Sequence, residues 1–88
     1  MTICTHQHRY DESLARLPHD QGGMGRHKCS GCAYDQGYAL GLTRTCRASL
    51  DLNTLPFSQA GIVRHKSPHA AFADGYSDGV RDSYSKAG

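Results

Sequence analysis

RHKCSGCAYDQGYALGL, residues 26–42, returns in altered form as RHKSPHAAFADGYSDGV, residues 64–80. Aligned without a gap, the two segments share Arg-His-Lys, a central alanine and the spacing Gly-Tyr-x-x-Gly, with Tyr34 opposite Phe72 and Leu42 opposite Val80. In the first copy Tyr34, Gly37, Tyr38, Gly41 and Leu42 fall at i, i+3, i+4, i+7 and i+8, one face of an α-helix. Phe72, Gly75, Tyr76, Gly79 and Val80 repeat that face, and Tyr84 extends it by a turn. Ser67 is a good N-cap, and Pro68 stands at the first helical position, where its missing N–H costs nothing. Cys29 takes the N-cap place in the first copy. The pattern predicts two helices over about 30–43 and 68–84.

A glycine inside a helix costs about 1 kcal/mol relative to alanine, so two at fixed spacing in both copies need a reason. Small residues four apart let two helix backbones come close while flanking aromatics close over the contact. A duplicated face is self-complementary about a pseudo-two-fold axis. Within one chain it pairs the two helices; between chains it would form a homodimer seam. The expected fold is therefore a small, mainly-α, zinc-stabilised domain of two pseudo-symmetric helices packed through their G-Y-x-x-G faces. Residues 1–88 read as a single domain: an N-terminal arm and short helix over 1–25, the first repeat over 26–42, a connector over 43–63 and the second repeat over 64–84.

Outside the repeat the signals are shorter. Asp11 to Leu17 has an acidic cap and leucines at 14 and 17, which predicts two turns of helix stopped by Pro18. Glycines 22, 23 and 25 mark a loop that lacks the spacing of a phosphate-binding P-loop. In the connector, Leu50 and Leu52 alternate with polar residues as in a short strand, while Leu55 and Phe57 flank Pro56 as apolar plugs.

A chain of 88 residues rarely gains more than about 3–5 kcal/mol from its core, so a staple is expected. Four cysteines and six histidines can supply one. The N-terminus MTICTHQHRYDE has no basic segment followed by an apolar run, and no apolar stretch is long enough to span a bilayer. The expected setting is thus cytoplasmic, with reduced thiols, which favours zinc over disulfides.

Cys29-x-x-Cys32 at a helix start is the strongest chemical signal, because two thiols at that spacing chelate one zinc and the free N–H groups of the helix stabilise the thiolate. A redox pair is the rival, but the β-α-β pattern of thioredoxin-like folds is missing. His65 and His69 complete a set of Cys29, Cys32, His65 and His69 if the two helix starts converge. The 32 residues between the pairs exclude a nucleic-acid-binding C2H2 finger, whose gap is about 12. If instead the helices run antiparallel, Cys4 with His6 or His8 completes the site, since these alternate positions point one way in an extended arm. His27 and His69 remain as single contributors, His19 reads as a solvated loop residue, and Cys46 as a buried or bystander thiol.

Arg26, Lys28, Arg64 and Lys66 precede the two helix starts and would form an anion or phosphate site if those starts meet. The net charge of +2 is too small to imply nucleic acid by itself. The first reading is a non-catalytic zinc module that binds a protein partner or an anionic ligand, with no membrane role. A nucleic-acid or phosphate binder acting through the two RHK segments is the first alternative. A zinc-dependent hydrolase or nuclease is the second, with Glu12, Asp20, Asp35 and Asp74 as its available carboxylates, none in a recognisable catalytic relation to the ligands.

Overall fold

Cys29 and Ser67 begin the two helices that dominate the computed structural model, which describes residues 3–19, 27–46, 48–58, 61 and 65–87. The glycine-rich loop, Arg26 and Arg64 lie outside the described residues. Helix α1 spans Ser30–Leu42 and α2 spans Pro68–Ala87, close to the expected bounds. Ser67 caps α2, its Oγ accepting from the Ala70 N–H at 3.2 Å, and Pro68 behind it is fully buried. Cys29 caps α1 with extended backbone, but its side chain makes no cap hydrogen bond. The sulfur is turned to another use.

The helices are parallel and touch through glycine. A methyl group on Gly37 would run into the Phe72 carbonyl, and one on Gly41 would run into the Tyr76 carbonyl. In return, Gly75 lies against the Tyr34 carbonyl and Gly79 against the Tyr38 carbonyl. All four glycines of the repeated face are therefore engaged within one chain. Of the two pairings expected of this face, the structure shows the one within a single chain.

Hydrogen bonds close over the contact: Tyr34 Oη donates to Asp78 at 2.5 Å and Tyr38 Oη to Asp82 at 2.6 Å. Tyr76 Oη donates to the Thr45 carbonyl at 2.6 Å, beyond the end of α1. That end is closed by Arg44, which adopts a left-handed φ of 53° while the N–H groups of Arg44 and Thr45 bond the Gly41 and Leu40 carbonyls. The Arg44 guanidinium then stacks 3.9 Å over the Tyr84 ring. Tyr84 is 62% exposed, so it carries this cation–π contact at the rim of the face.

Two short 3-10 helices lead leucines into the core shared with the pair. Asp11 accepts from the Ser13 N–H and starts Glu12–Arg16, and the helix expected here is of the 3-10 type. Leu14 and Leu17, three apart, share one side in that tighter winding and are both buried. Asp51 does the same for Leu52–Thr54 by accepting from the Asn53 N–H. The strand expected at Leu50 and Leu52 is therefore replaced by a turn: the carboxylate between the leucines bonds its own backbone, and this local bond outcompetes alternation. Leu14, Leu17 and Leu55 form the core with Ala33, Ala71 and Phe72.

The chain thus repeats beyond the helices. Leu14-x-x-Leu17-Pro18 and Leu52-x-x-Leu55-Pro56 are 38 positions apart, the same offset as the RHK segments. Their contacts are exchanged: the Cys29 N–H donates to the Pro56 carbonyl at 2.9 Å, and the Ser67 N–H to the Pro18 carbonyl at 2.7 Å. Among the described residues no helix is long and apolar enough to cross a membrane.

Candidate metal centre

One bridge decides where the N-terminal arm goes. Phe57, just after the second Leu-Pro, pairs with Ile3 on one side and Lys28 on the other. The Cys4 N–H donates to the Phe57 carbonyl at 2.9 Å, and the Ser58 N–H to the His27 carbonyl at 2.8 Å. The arm is thereby laid beside the segment leading into α1, and Cys4 arrives next to the cysteine pair. After His6 the chain turns through a 3-10 helix, Gln7–Tyr10, which swings His8 back over the same point.

Cys4, His6, His8 and Cys32 form a group whose donor atoms all lie within 4.8 Å of one another, and this group can hold a metal ion. Cys4 Sγ is 3.6 Å from Cys32 Sγ, 3.7 Å from His6 Nδ1 and 3.5 Å from His8 Nδ1. Cys32 Sγ lies 4.0 Å from His6 Nδ1 and 3.6 Å from His8 Nδ1. Cys29, fully buried, adjoins the group with its sulfur 3.4 Å from His8 Nδ1. Gly31 makes this possible: a side chain there would collide with the Cβ and ring of His8. The ring's far nitrogen, Nε2, is 3.0 Å from Asp35 Oδ2.

Electrostatics divide the thiols. The neighbouring Cys32 thiol, by sharing its proton with the Cys29 sulfur, does most to bring the Cys29 thiol down to about 5. Cys32, holding the shared proton and partly desolvated, is pushed up. Burial likewise pushes Cys4 up. A cation placed among these groups would replace the shared protons as the countercharge, since metals bind cysteine as thiolate.

Of the residues expected from spacing, Cys29 and Cys32 meet Cys4, His6 and His8, while His65 and His69 stay apart. His69 sits exposed on the first turn of α2. The His65 ring packs edge-on against that of His27, with centroids 5.2 Å apart. The helix starts do converge, the condition attached to the His65 and His69 set, and the donors grouped with Cys32 come from the arm. Converging helix starts and an arm beside Cys32 are therefore compatible, because Phe57 lays the arm next to the segment leading into α1. The alternation of Cys4, His6 and His8 was the available signal for the arm; nothing local to it announced the pairing with Phe57.

The RHK lysines have structural partners. Lys28 is buried, donates from Nζ to the Leu55 carbonyl at 3.3 Å and lies 4.6 Å over the Phe57 ring. Lys66 Nζ donates to the Ala15 carbonyl at 2.8 Å. Each lysine thus closes the end of a 3-10 helix contributed by the other half of the chain. Among the carboxylates, Asp74 is paired with Arg16 at 3.2 Å and Asp35 with His8, while Asp20 lies outside the described residues. Cys46, expected as a buried or bystander thiol, is exposed; it borders a cavity of about 310 Å³ with Ala48, Phe72, Ala73 and Tyr76. No family model, no curated protein and no solved structure matches the chain.

Proposed function

We propose that the chain is a small zinc-binding, non-catalytic interaction module in which the metal is structural. The observation that carries this reading is the convergence of Cys4, His6 and His8 from the arm on Cys32 in α1, far apart in sequence and close in space. An ion there would pin the arm to the helix pair and add the stability that a short chain lacks. Zinc suits a mixed thiol and imidazole site.

Four protein donors close a tetrahedral site, whereas a catalytic zinc keeps a position for water. Asp35, the carboxylate beside the group, is engaged by His8 through Oδ2. The contacts that recur at an offset of 38 residues support a pseudo-two-fold arrangement, with metal chemistry on one half alone: Cys29 and Cys32 correspond to Ser67 and Ala70. A protein partner suits the slight net charge better than nucleic acid, and the engagement of Lys28 and Lys66 with carbonyls favours the same choice.

Elemental analysis of purified protein tests the reading, with about one zinc per chain expected. Removing it with a strong chelator should lower the melting temperature and loosen the arm, seen by circular dichroism and limited proteolysis. Protein that carries no zinc, or whose fold is indifferent to the chelator, would refute it.

A further inference from the structure

Five donors surround a point that a tetrahedral ion can share among only four. Resting on the zinc reading above, we propose that the ion is held by three thiolates and one imidazole, Cys4, Cys29, Cys32 and Nδ1 of His8, with Asp35 as the positioning residue for His8 and His6 left outside the coordination sphere.

The distances select this set. Zinc–sulfur bonds of about 2.3 Å and zinc–nitrogen bonds of about 2.0–2.1 Å, at tetrahedral angles, require sulfur–nitrogen edges of about 3.5–3.6 Å and sulfur–sulfur edges of about 3.8 Å. His8 Nδ1 lies 3.5, 3.4 and 3.6 Å from the sulfurs of Cys4, Cys29 and Cys32, three edges meeting at one corner. Cys4 and Cys32 add an edge of 3.6 Å. The fully buried Cys29 faces the same His8 nitrogen as the other two thiols. His6 Nδ1, at 3.7 and 4.0 Å from Cys4 and Cys32, sits further from the same centre.

The surroundings separate the two histidines as well. The His8 side chain is 14% exposed and rests against the bare backbone of Gly31, whereas His6 faces solvent. His8 Nε2 faces Asp35 at 3.0 Å; with its proton there it donates to the carboxylate, and the Nδ1 lone pair is left toward the three sulfurs. A carboxylate behind a ligating histidine fixes tautomer and ring orientation and raises the basicity of the ligand. Cys29, which adjoins the group of Cys4, His6, His8 and Cys32, is the buried cysteine that caps α1 without using its sulfur for the cap.

X-ray absorption at the zinc edge of the full chain loaded with zinc alone tests the ligand set without any variant. Three sulfurs and one nitrogen are expected; two sulfurs and two nitrogens would overturn the inference while leaving the zinc reading intact, and absence of zinc would end both. Competition titrations with a chromogenic chelator extend the test. His6→Gln should hold zinc within about threefold of the parent, whereas His8→Gln and Cys29→Ser should lose at least about tenfold. Asp35→Ala should weaken binding about 10–100-fold with the sulfur count unchanged, and Asp35→Asn, which keeps an acceptor oxygen, should recover most of it. Unaltered affinity in Asp35→Ala, or loss in His6→Gln equal to that in His8→Gln, would overturn the assignment.

Discussion

Gly37 lies directly against the backbone carbonyl of Phe72, with no room between α1 and α2 for a single methyl group. The obstacle is main chain and cannot rotate away. Gly37→Ala should therefore cost about 3 kcal/mol or more, although the same change at a free helical site gains about 1 kcal/mol. Gly75→Ala meets the Tyr34 carbonyl in the same way and should lose a similar amount. Denaturant melts of both variants measure this, and a loss below about 1 kcal/mol in either would mean that the helices do not approach so closely.

Gly31→Ala probes the other close approach, where the neighbour is the His8 side chain. Helix propensity favours alanine, so α1 itself gains, but the ring must leave its seat. Zinc affinity should fall about tenfold or more while helical circular dichroism of the zinc-free chain is kept or rises. Unchanged affinity would show that His8 does not need this position.

Tyr34→Phe removes one hydroxyl from the helix seam, and Phe72 occupies the corresponding place in α2. The lost hydrogen bond to Asp78 should cost about 1 kcal/mol. Burial, reinforced by Asp78, raises the Tyr34 phenol from 10.0 to about 12, so the folded state favours the protonated form. That stabilisation is complete below pH 10 and is lost as pH rises from 10 toward 12. The difference in melting temperature between parent and variant should accordingly shrink above pH 10; a constant difference up to pH 11 would contradict the assignment.

Lys28 and Lys66 occupy equivalent places at different depths, Lys28 buried and Lys66 half-buried. Lys28→Ala leaves the Leu55 carbonyl without its ammonium donor and empties space over Phe57, and should cost about 1–3 kcal/mol. Lys66→Ala leaves a carbonyl that water can reach and should cost less than about 1 kcal/mol. Equal losses in urea melts would indicate that burial is not what distinguishes them.

Much of the helical architecture was legible because the repeat is densest there: Gly-Tyr-x-x-Gly recurs with the same periodicity, and Ser67-Pro68 marks a start. The earlier part of the repeat was not, since Leu14-x-x-Leu17-Pro18 and Leu52-x-x-Leu55-Pro56 share little else and fold as 3-10 turns, which have no strong hydrophobic period. The carboxylate of Asp51 turned an apparent strand into one of those turns. At the candidate metal centre Cys29 and Cys32 were conspicuous from their spacing, whereas the contacts of Gly31 and Asp35 came to light only through the position of the His8 ring.

The sequence by itself determined two helices, the glycine face that joins them and the presence of a thiol pair at the start of α1, because each is a matter of local period and capping. Which donors reach that pair was decided by tertiary structure alone. Phe57, between Ile3 and Lys28, carries the N-terminal arm to Cys29, and Pro56 and Pro18 exchange hydrogen bonds between the halves. These are backbone pairings between segments tens of residues apart. Backbone groups are the same at every residue, so no side-chain pattern records their partners.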